Sequence, residues 1–247
     1  MLVIGKILFG PLLLLQGRRV RRTALRLPEA DGARSGVEGA PFDGVPLRLI
    51  VVGDSSAAGV GVETQAQALA QPLAQDLALL LARPVAWQLL AKSGIDTVEA
   101  LALLEAEALQ PADVLVTALG VNDVTGQRRP LRFVDDYRRL LDAVRMRAGI
   151  ALVVANGLPP MHLLPALPQP LRWYLGQCAL RLDRALQAWL ASMPDARYLS
   201  LHWGEGGDVA RDGFHPGAAQ YRRWAGRLAA TIAEGLRESG KAGAKPL

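Results

Sequence analysis

Five short apolar runs, each followed by a longer stretch with helical spacing, constrain this chain more than any other feature. The runs are "LRLIVV" (47–52), "VAWQLLA" (85–91), "DVLVTALG" (113–120), "ALVVAN" (151–156) and "ARYLSL" (196–201). They are followed in turn by "QALAQPLAQDLALLLA" (67–82), "TVEALALLEAEAL" (97–109), "FVDDYRRLLDAVRMRA" (133–148), "LRWYLGQCALRLDRALQAWLA" (171–191) and "AAQYRRWAGRLAATIAEGLRE" (218–238), where apolar residues recur at three- and four-residue intervals. No hairpin turn joins two of the runs, and near-continuous apolar strands belong to sheets buried on both faces. The pattern predicts a three-layer α/β/α sandwich around a five-stranded parallel sheet. A chain of 247 residues with 51% apolar composition has enough material for one such core.

Residues 28–46, "PEADGARSGVEGAPFDGVP", are rich in glycine and proline and carry no periodic apolar pattern, which reads as a linker. The expected organisation is an N-terminal apolar and basic extension with its linker (1–46), a folded body (47–240) and a flexible tail (241–247).

In parallel α/β sheets, ligands meet the loops beyond the carboxyl ends of the strands. After the first run comes "GDSSAAGVGV" (53–62). It lacks the GxxxxGK[ST] of a phosphate-binding loop and the third glycine of a dinucleotide fingerprint, so phosphate readings are weak. Ser55, two residues past a strand end, is instead placed to present a hydroxyl in a tight turn, although Gly-Asp-Ser is also ordinary turn chemistry. After the second run, "AKSGIDT" puts Gly94 where a bare backbone lets an N–H approach a ligand. After the third, "TALGVNDV" places Asn122, with two side-chain donors, at the same rim. After the fifth, "RDGFHPGAAQ" supplies Asp212 and His215, and an Asp three residues before a His is spaced to accept its Nδ1 proton.

The ordered set GDSS, KSG, GVND and DGFHP resembles the four blocks of the GDSL-type SGNH hydrolases, over roughly residues 47–237. That resemblance implies an SGNH, flavodoxin-like fold and a serine hydrolase of carboxylic esters working through an acyl-enzyme. It implies Ser55 as nucleophile, His215 as base and Asp212 as its orienter, with an oxyanion hole built from the Ser55 N–H, the Gly94 N–H and the Asn122 side chain. The substrate expected is a small acyl ester, with thioester, lysophospholipid or sugar acetyl ester as alternatives for the same site. No metal or organic cofactor is implied. The first block reads GDSS where the family name has leucine, leaving Ser56 as a neighbouring hydroxyl. No GxSxG surrounds any serine, which argues against the ordinary α/β-hydrolase elbow. Asp54 and Asp123 read as turn and cap residues, and His202 and His162 are rival bases without a carboxylate at matching spacing. A binding protein tethered to a membrane on the same fold is the non-enzymatic alternative, weakened because a pure binder does not need Ser55, Asp212 and His215 together.

Charge excludes one partner class. Of 28 basic and 23 acidic residues, seven basic and two acidic fall in the first 35, so the remainder carries 21 of each sign. A neutral body offers no nucleic-acid footprint. The single cysteine, Cys178, has no partner for an internal disulfide, and one Cys with three His gives no zinc-site spacing. The first 22 residues, "MLVIGKILFGPLLLLQGRRVRR", are interrupted by Lys6 and Gly10-Pro11 and are too short for an ordinary span. They lack the flanks of a secretory signal, so a cytoplasmic location is expected. Two readings stay open for them: peripheral contact with anionic lipid, or packing on the body with solvated arginines. The proline-rich segment 156–175 has two readings as well, the wall or lid of an acyl pocket or a surface that packs against the N-terminal segment. Oligomeric state and natural substrate have no sequence signature.

Overall fold

The protein is described from a computed structural model covering residues 2–201 and 208–243, with side chains from 8–201 and 208–238. Its strands are β1 (Ser35–Glu38), β2 (Leu47–Gly53), β3 (Val85–Ala91), β4 (Val114–Ala118), β5 (Leu152–Asn156) and β6 (Ala196–Leu199). Its helices are α1 (Leu2–Thr23), α2 (Ala70–Leu81), α3 (Thr97–Ala106), α4 (Val121–Thr125), α5 (Pro130–Ala148), α6 (Leu171–Leu190) and α7 (Ala218–Gly243). They form one sheet in the order β1-β3-β2-β4-β5-β6.

The five expected strands are present and parallel. The sheet has six strands, however, because residues 35–38, inside the expected linker, pair antiparallel with β3 from Ser35 opposite Gln88 to Glu38 opposite Val85. The pairing is made by backbone at a sheet edge. Val37 is 62% exposed, and a Cβ at Gly36 would lie 3.2 Å from the Trp87 indole nitrogen. A strand held by edge hydrogen bonds and a glycine over an aromatic ring leaves no apolar alternation to read. The rest of this segment is also tied down: Ala30 N–H donates to Ala58 O, and Asp31 N–H to Glu63 O.

Side chains alternate along β2 between two cores. Ile50 and Val52 join Tyr137, Leu140 and Leu186 under α5 and α6, while Leu49 and Val51 join Leu73, Leu77, Trp224 and Leu228 under α2 and α7. Local signals set the helix ends. Asp96 caps α3 by accepting from the N–H groups of Val98 and Glu99, while the Glu99 side chain reaches back to the Asp96 N–H. α5 opens on Pro130 and ends at Gly149 in the left-handed region. α7 continues through Gly243, so residues 241–243 of the expected tail are helical; residues 244–247 lie outside the described residues.

Residues 2–23 are one helix that runs through Pro11. It lies against α6, where the Gln16 side chain donates to Gln169 O at 2.7 Å and accepts from the Leu171 N–H at 3.1 Å. The second bond satisfies an N–H at the start of α6 that has no partner within its own helix. Among the described residues no helix is long and apolar enough to cross a membrane.

β2 is flanked by β3 and β4, and chain order reverses across it. A crevice therefore opens above the carboxyl ends of β2 and β4, where the loops bearing Ser55 and Asn122 emerge.

Candidate active site

β2 ends at Gly53, where a Cβ would come within 2.7 Å of Ala118 O on the neighbouring strand, so no larger residue fits this close approach. The chain then turns. Asp54 is buried, and its Oδ1 accepts from the Ser56 N–H at 3.0 Å and from the Ser56 hydroxyl at 2.7 Å. Val60 N–H donates to Ser55 O at 3.0 Å, and the Tyr221 hydroxyl of α7 lies 2.9 Å from Ser56 O and 2.8 Å from Val60 O. The turn is thus held from inside and from below, and it presents Ser55 half-buried at the rim.

His215 comes to the same point from the far end of the chain. Asp212 Oδ1 accepts from the N–H groups of Phe214 (2.9 Å) and His215 (3.1 Å), which closes the turn. Its Oδ2 lies 2.6 Å from His215 Nδ1, and His215 Nε2 lies 2.8 Å from Ser55 Oγ. Burial raises the Asp212 carboxyl, but the hydrogen bonds from the His215 ring and the two backbone N–H groups outweigh it and hold the carboxyl below its ordinary value. An ionised Asp212 fixes the Nδ1–H tautomer and leaves the Nε2 lone pair facing Ser55. Such a chain of bonds can draw the Oγ proton as Oγ attacks an electrophile.

Gly94 has φ +84°, in the left-handed region that glycine enters without strain. Asn122 is the second residue of α4; its Nδ2 donates to Ile95 O at 2.8 Å and lies 3.5 Å from Asp54 Oδ2. One side-chain amide therefore bridges the loops after β2, β3 and β4. Its bond to Ile95 is short and its contact with Asp54 long, so one amide proton is only weakly engaged. Among the described residues neither the Ser55 N–H nor the Gly94 N–H has an acceptor.

The neighbouring carboxylates stay structural. Asp123 points inward and accepts from the Thr97 N–H (3.2 Å) and hydroxyl (2.9 Å), and burial pushes its carboxyl up to about 6. His162 is exposed on a short turn after β5 and has no carboxylate partner among the described residues. His202 lies outside the described residues. Among the described residues no cluster of His, Cys, Asp or Glu is placed to hold a metal ion.

Sequence reasoning missed two supports, Glu29 and Tyr221, and read Asp54 as the turn residue it is without its reach to Asn122. Glu29, in the expected linker, accepts from the Ser93 N–H at 2.6 Å and steadies the loop beside Gly94. Tyr221 clamps the Ser55 turn, and Asp54 links that turn to Asn122. None carries a local signal, because each acts through a residue distant in sequence or through a bond an ordinary turn residue also makes.

A small cavity of about 30 Å³ adjoins Ser55 and is lined by Leu164, Phe214 and His215. An open cleft of about 690 Å³ shares Phe214 and His215 with it and extends past Asn122 along α1. The segment 156–175 lines this cleft through Met161, Ala166, Leu167, Leu171, Tyr174 and Leu175, and its Gln169 also takes the Gln16 bond from α1. It both packs on α1 and faces the cleft.

The family model described as the GDSL-like lipase/acylhydrolase family matches residues 51–223. A GDSL-like esterase of Mycobacterium tuberculosis is 29% identical over 151 residues, which are 60% of this chain and 46% of that protein. The chain thus spans less than half the length of that curated relative. Among solved structures, a putative arylesterase of Agrobacterium tumefaciens superposes with TM-score 0.58 at 18% identity, over 76% of this chain and 99% of that one. A lipase from a goat rumen metagenome gives 0.57 at 21%, over 78% and 97%. A carbohydrate acetylesterase of Sinorhizobium meliloti gives 0.56 at 18%, over 76% and 99%. At these identities the likeness is one of fold.

Proposed function

Because the chain belongs to the GDSL-like lipase/acylhydrolase family, we propose that it hydrolyses carboxylic esters through an acyl-enzyme on Ser55. The observation that carries the reading is the continuous chain Asp212 Oδ2, His215 Nδ1, His215 Nε2, Ser55 Oγ, with contacts of 2.6 and 2.8 Å. Ser55 Oγ attacks the carbonyl carbon while His215 Nε2 takes its proton. The carbonyl oxygen becomes an oxyanion facing the Ser55 and Gly94 N–H groups and the Asn122 amide proton that is only weakly engaged with Asp54. Collapse of this intermediate breaks the bond to the alcohol, which leaves with the proton from Nε2. A water then attacks the acyl-enzyme carbonyl as it gives a proton to Nε2, and collapse breaks the bond to Ser55 Oγ, which recovers the proton from Nε2 as the carboxylic acid is released. Asp212 stays ionised throughout and stabilises the imidazolium that forms twice per turnover.

The test is intact mass after incubation with a fluorophosphonate, with turnover of p-nitrophenyl acetate measured in parallel. The expected result is one adduct on the wild-type protein and none on Ser55→Ala, whose kcat falls roughly 10⁴- to 10⁶-fold. Asn122→Ala keeps the label but loses about 10²- to 10³-fold in kcat, the cost of one oxyanion donor. An unlabelled wild-type protein, or a labelled Ser55→Ala, overturns the assignment.

A further inference from the structure

The site as derived accounts for a carbonyl and a nucleophile, but not for the cleft that runs from His215 along α1. Its volume, about 690 Å³, falls within the range of roughly 300–1,000 Å³ of cavities that enclose a small-molecule ligand. One wall is a single stripe of α1: Gly10, Leu13, Leu14, Gly17, Arg18 and Arg21 recur at three- and four-residue spacing and line the cleft. The facing wall presents Met161, Leu167, Leu171 and Leu175, with the polar Thr125, Gln127 and Asp212 beside them.

Two features of the α1 wall point to an occupant. Gly10 and Gly17 sit inside a helix, where glycine is worse than alanine by about 0.8–1.0 kcal/mol, yet a Cβ at either would meet nothing within 4 Å. Helix packing does not require them; they leave the cleft wide. Beyond Gly17 the lining adds two cations, Arg18 and Arg21, among the apolar Val20, Ala24 and Leu25, and none of the ion pairs among the described residues involves Arg18 or Arg21. α1 carries five basic and no acidic residues, so nothing on the helix itself neutralises them.

We infer that this cleft holds the apolar chain of the ester while Arg18 and Arg21 receive an anionic group on the same molecule, so that the substrate class is a single-chain, negatively charged amphiphilic ester. The inference rests on the reading of Ser55 as nucleophile and names what that nucleophile is offered. α1 is then a specificity element, because it supplies both the width of the chain site and its charge.

The test uses the full chain and substrates below their micelle-forming concentrations. Chain preference is read as the ratio of kcat/KM for p-nitrophenyl decanoate to that for p-nitrophenyl acetate. Charge preference is read as the ratio for lauroyl lysophosphatidic acid to that for monolauroylglycerol, which share one acyl chain. Gly17→Trp fills the cleft and lowers the chain ratio at least about tenfold; Gly10→Trp is the second variant should the first fold poorly, and Leu15→Gln on the outer face leaves the ratio in place. Arg18→Gln with Arg21→Gln lowers the charge ratio at least about tenfold, whereas Arg19→Gln with Arg22→Gln does not. A wild-type protein indifferent to chain and charge, or cleft variants with unchanged ratios, overturns the inference. Fluorophosphonate labelling and acetate turnover that persist in those variants leave the Ser55 reading standing, so the two fail separately.

Discussion

Asn122 and Asp123 are adjacent in sequence and turn opposite ways: the amide to the crevice, the carboxylate into the core. One oxygen of Asp123 is satisfied by Thr97, while Oδ1 is buried with no partner among the described residues. Burial raises the carboxyl from 3.8 to about 6, so across that interval the folded protein binds more protons than the unfolded chain. The stability this group contributes is complete below about pH 4 and is lost as pH rises through about 6, by on the order of 2–3 kcal/mol. Asp123→Asn removes the titration, so urea midpoints at about pH 5 and about pH 7.5 should lie closer together in the variant than in the wild-type protein. An unchanged gap would mean that Asp123 does not titrate in this window. At this scale Ser55, Gly94, Asn122, Asp212 and His215 are each ordinary loop residues taken singly, and what made them legible was their order, each block after a strand, in the pattern that resembles the four family blocks. The sequence was silent about Glu29 and Tyr221, whose partners are settled only when distant segments pack.

At the scale of elements, α7 does two jobs. Leu228 and Ile232 are buried under one face of the sheet, and Tyr221, in the first turn, reaches up to the Ser55 loop. Tyr221→Phe keeps the ring and its stacking on Trp224 but leaves the Ser56 and Val60 carbonyl oxygens without that hydroxyl. The expected cost is about 1–3 kcal/mol of stability, the price of an unmet buried hydrogen bond. It should come with a fall in kcat and little change in KM, because the turn that aims Ser55 loosens. Chemical denaturation beside steady-state kinetics separates these effects, and a variant with full stability and full kcat would remove Tyr221 as a clamp. The parallel strands were legible because burial on both faces writes continuous apolar runs. β1 was not, because an edge strand satisfied by backbone and a glycine on Trp87 needs no such run.

At the scale of the whole molecule, α1 is segregated along its length and differs between its two sides. Opposite the cleft-facing stripe, Leu8, Leu12, Leu15, Arg19 and Arg22 follow helical spacing, and the three leucines are 69, 41 and 65% exposed. An apolar half followed by a basic half matches the boundary between acyl chains and anionic headgroups, where each basic residue contributes about 1 kcal/mol. This geometry would set the cleft beside the layer in which amphiphilic esters reside. The protein should co-sediment with vesicles containing phosphatidylglycerol but weakly with pure phosphatidylcholine, and added salt should release it as the screening length shrinks from about 10 Å at 0.1 M to about 3 Å at 1 M. Replacing Arg19 and Arg22 by glutamine removes two charges, or about 2 kcal/mol, and so lowers partitioning roughly 30-fold. Equal binding to neutral and anionic vesicles, or none to either, would return α1 to the other reading the sequence left open, a helix that serves the body alone.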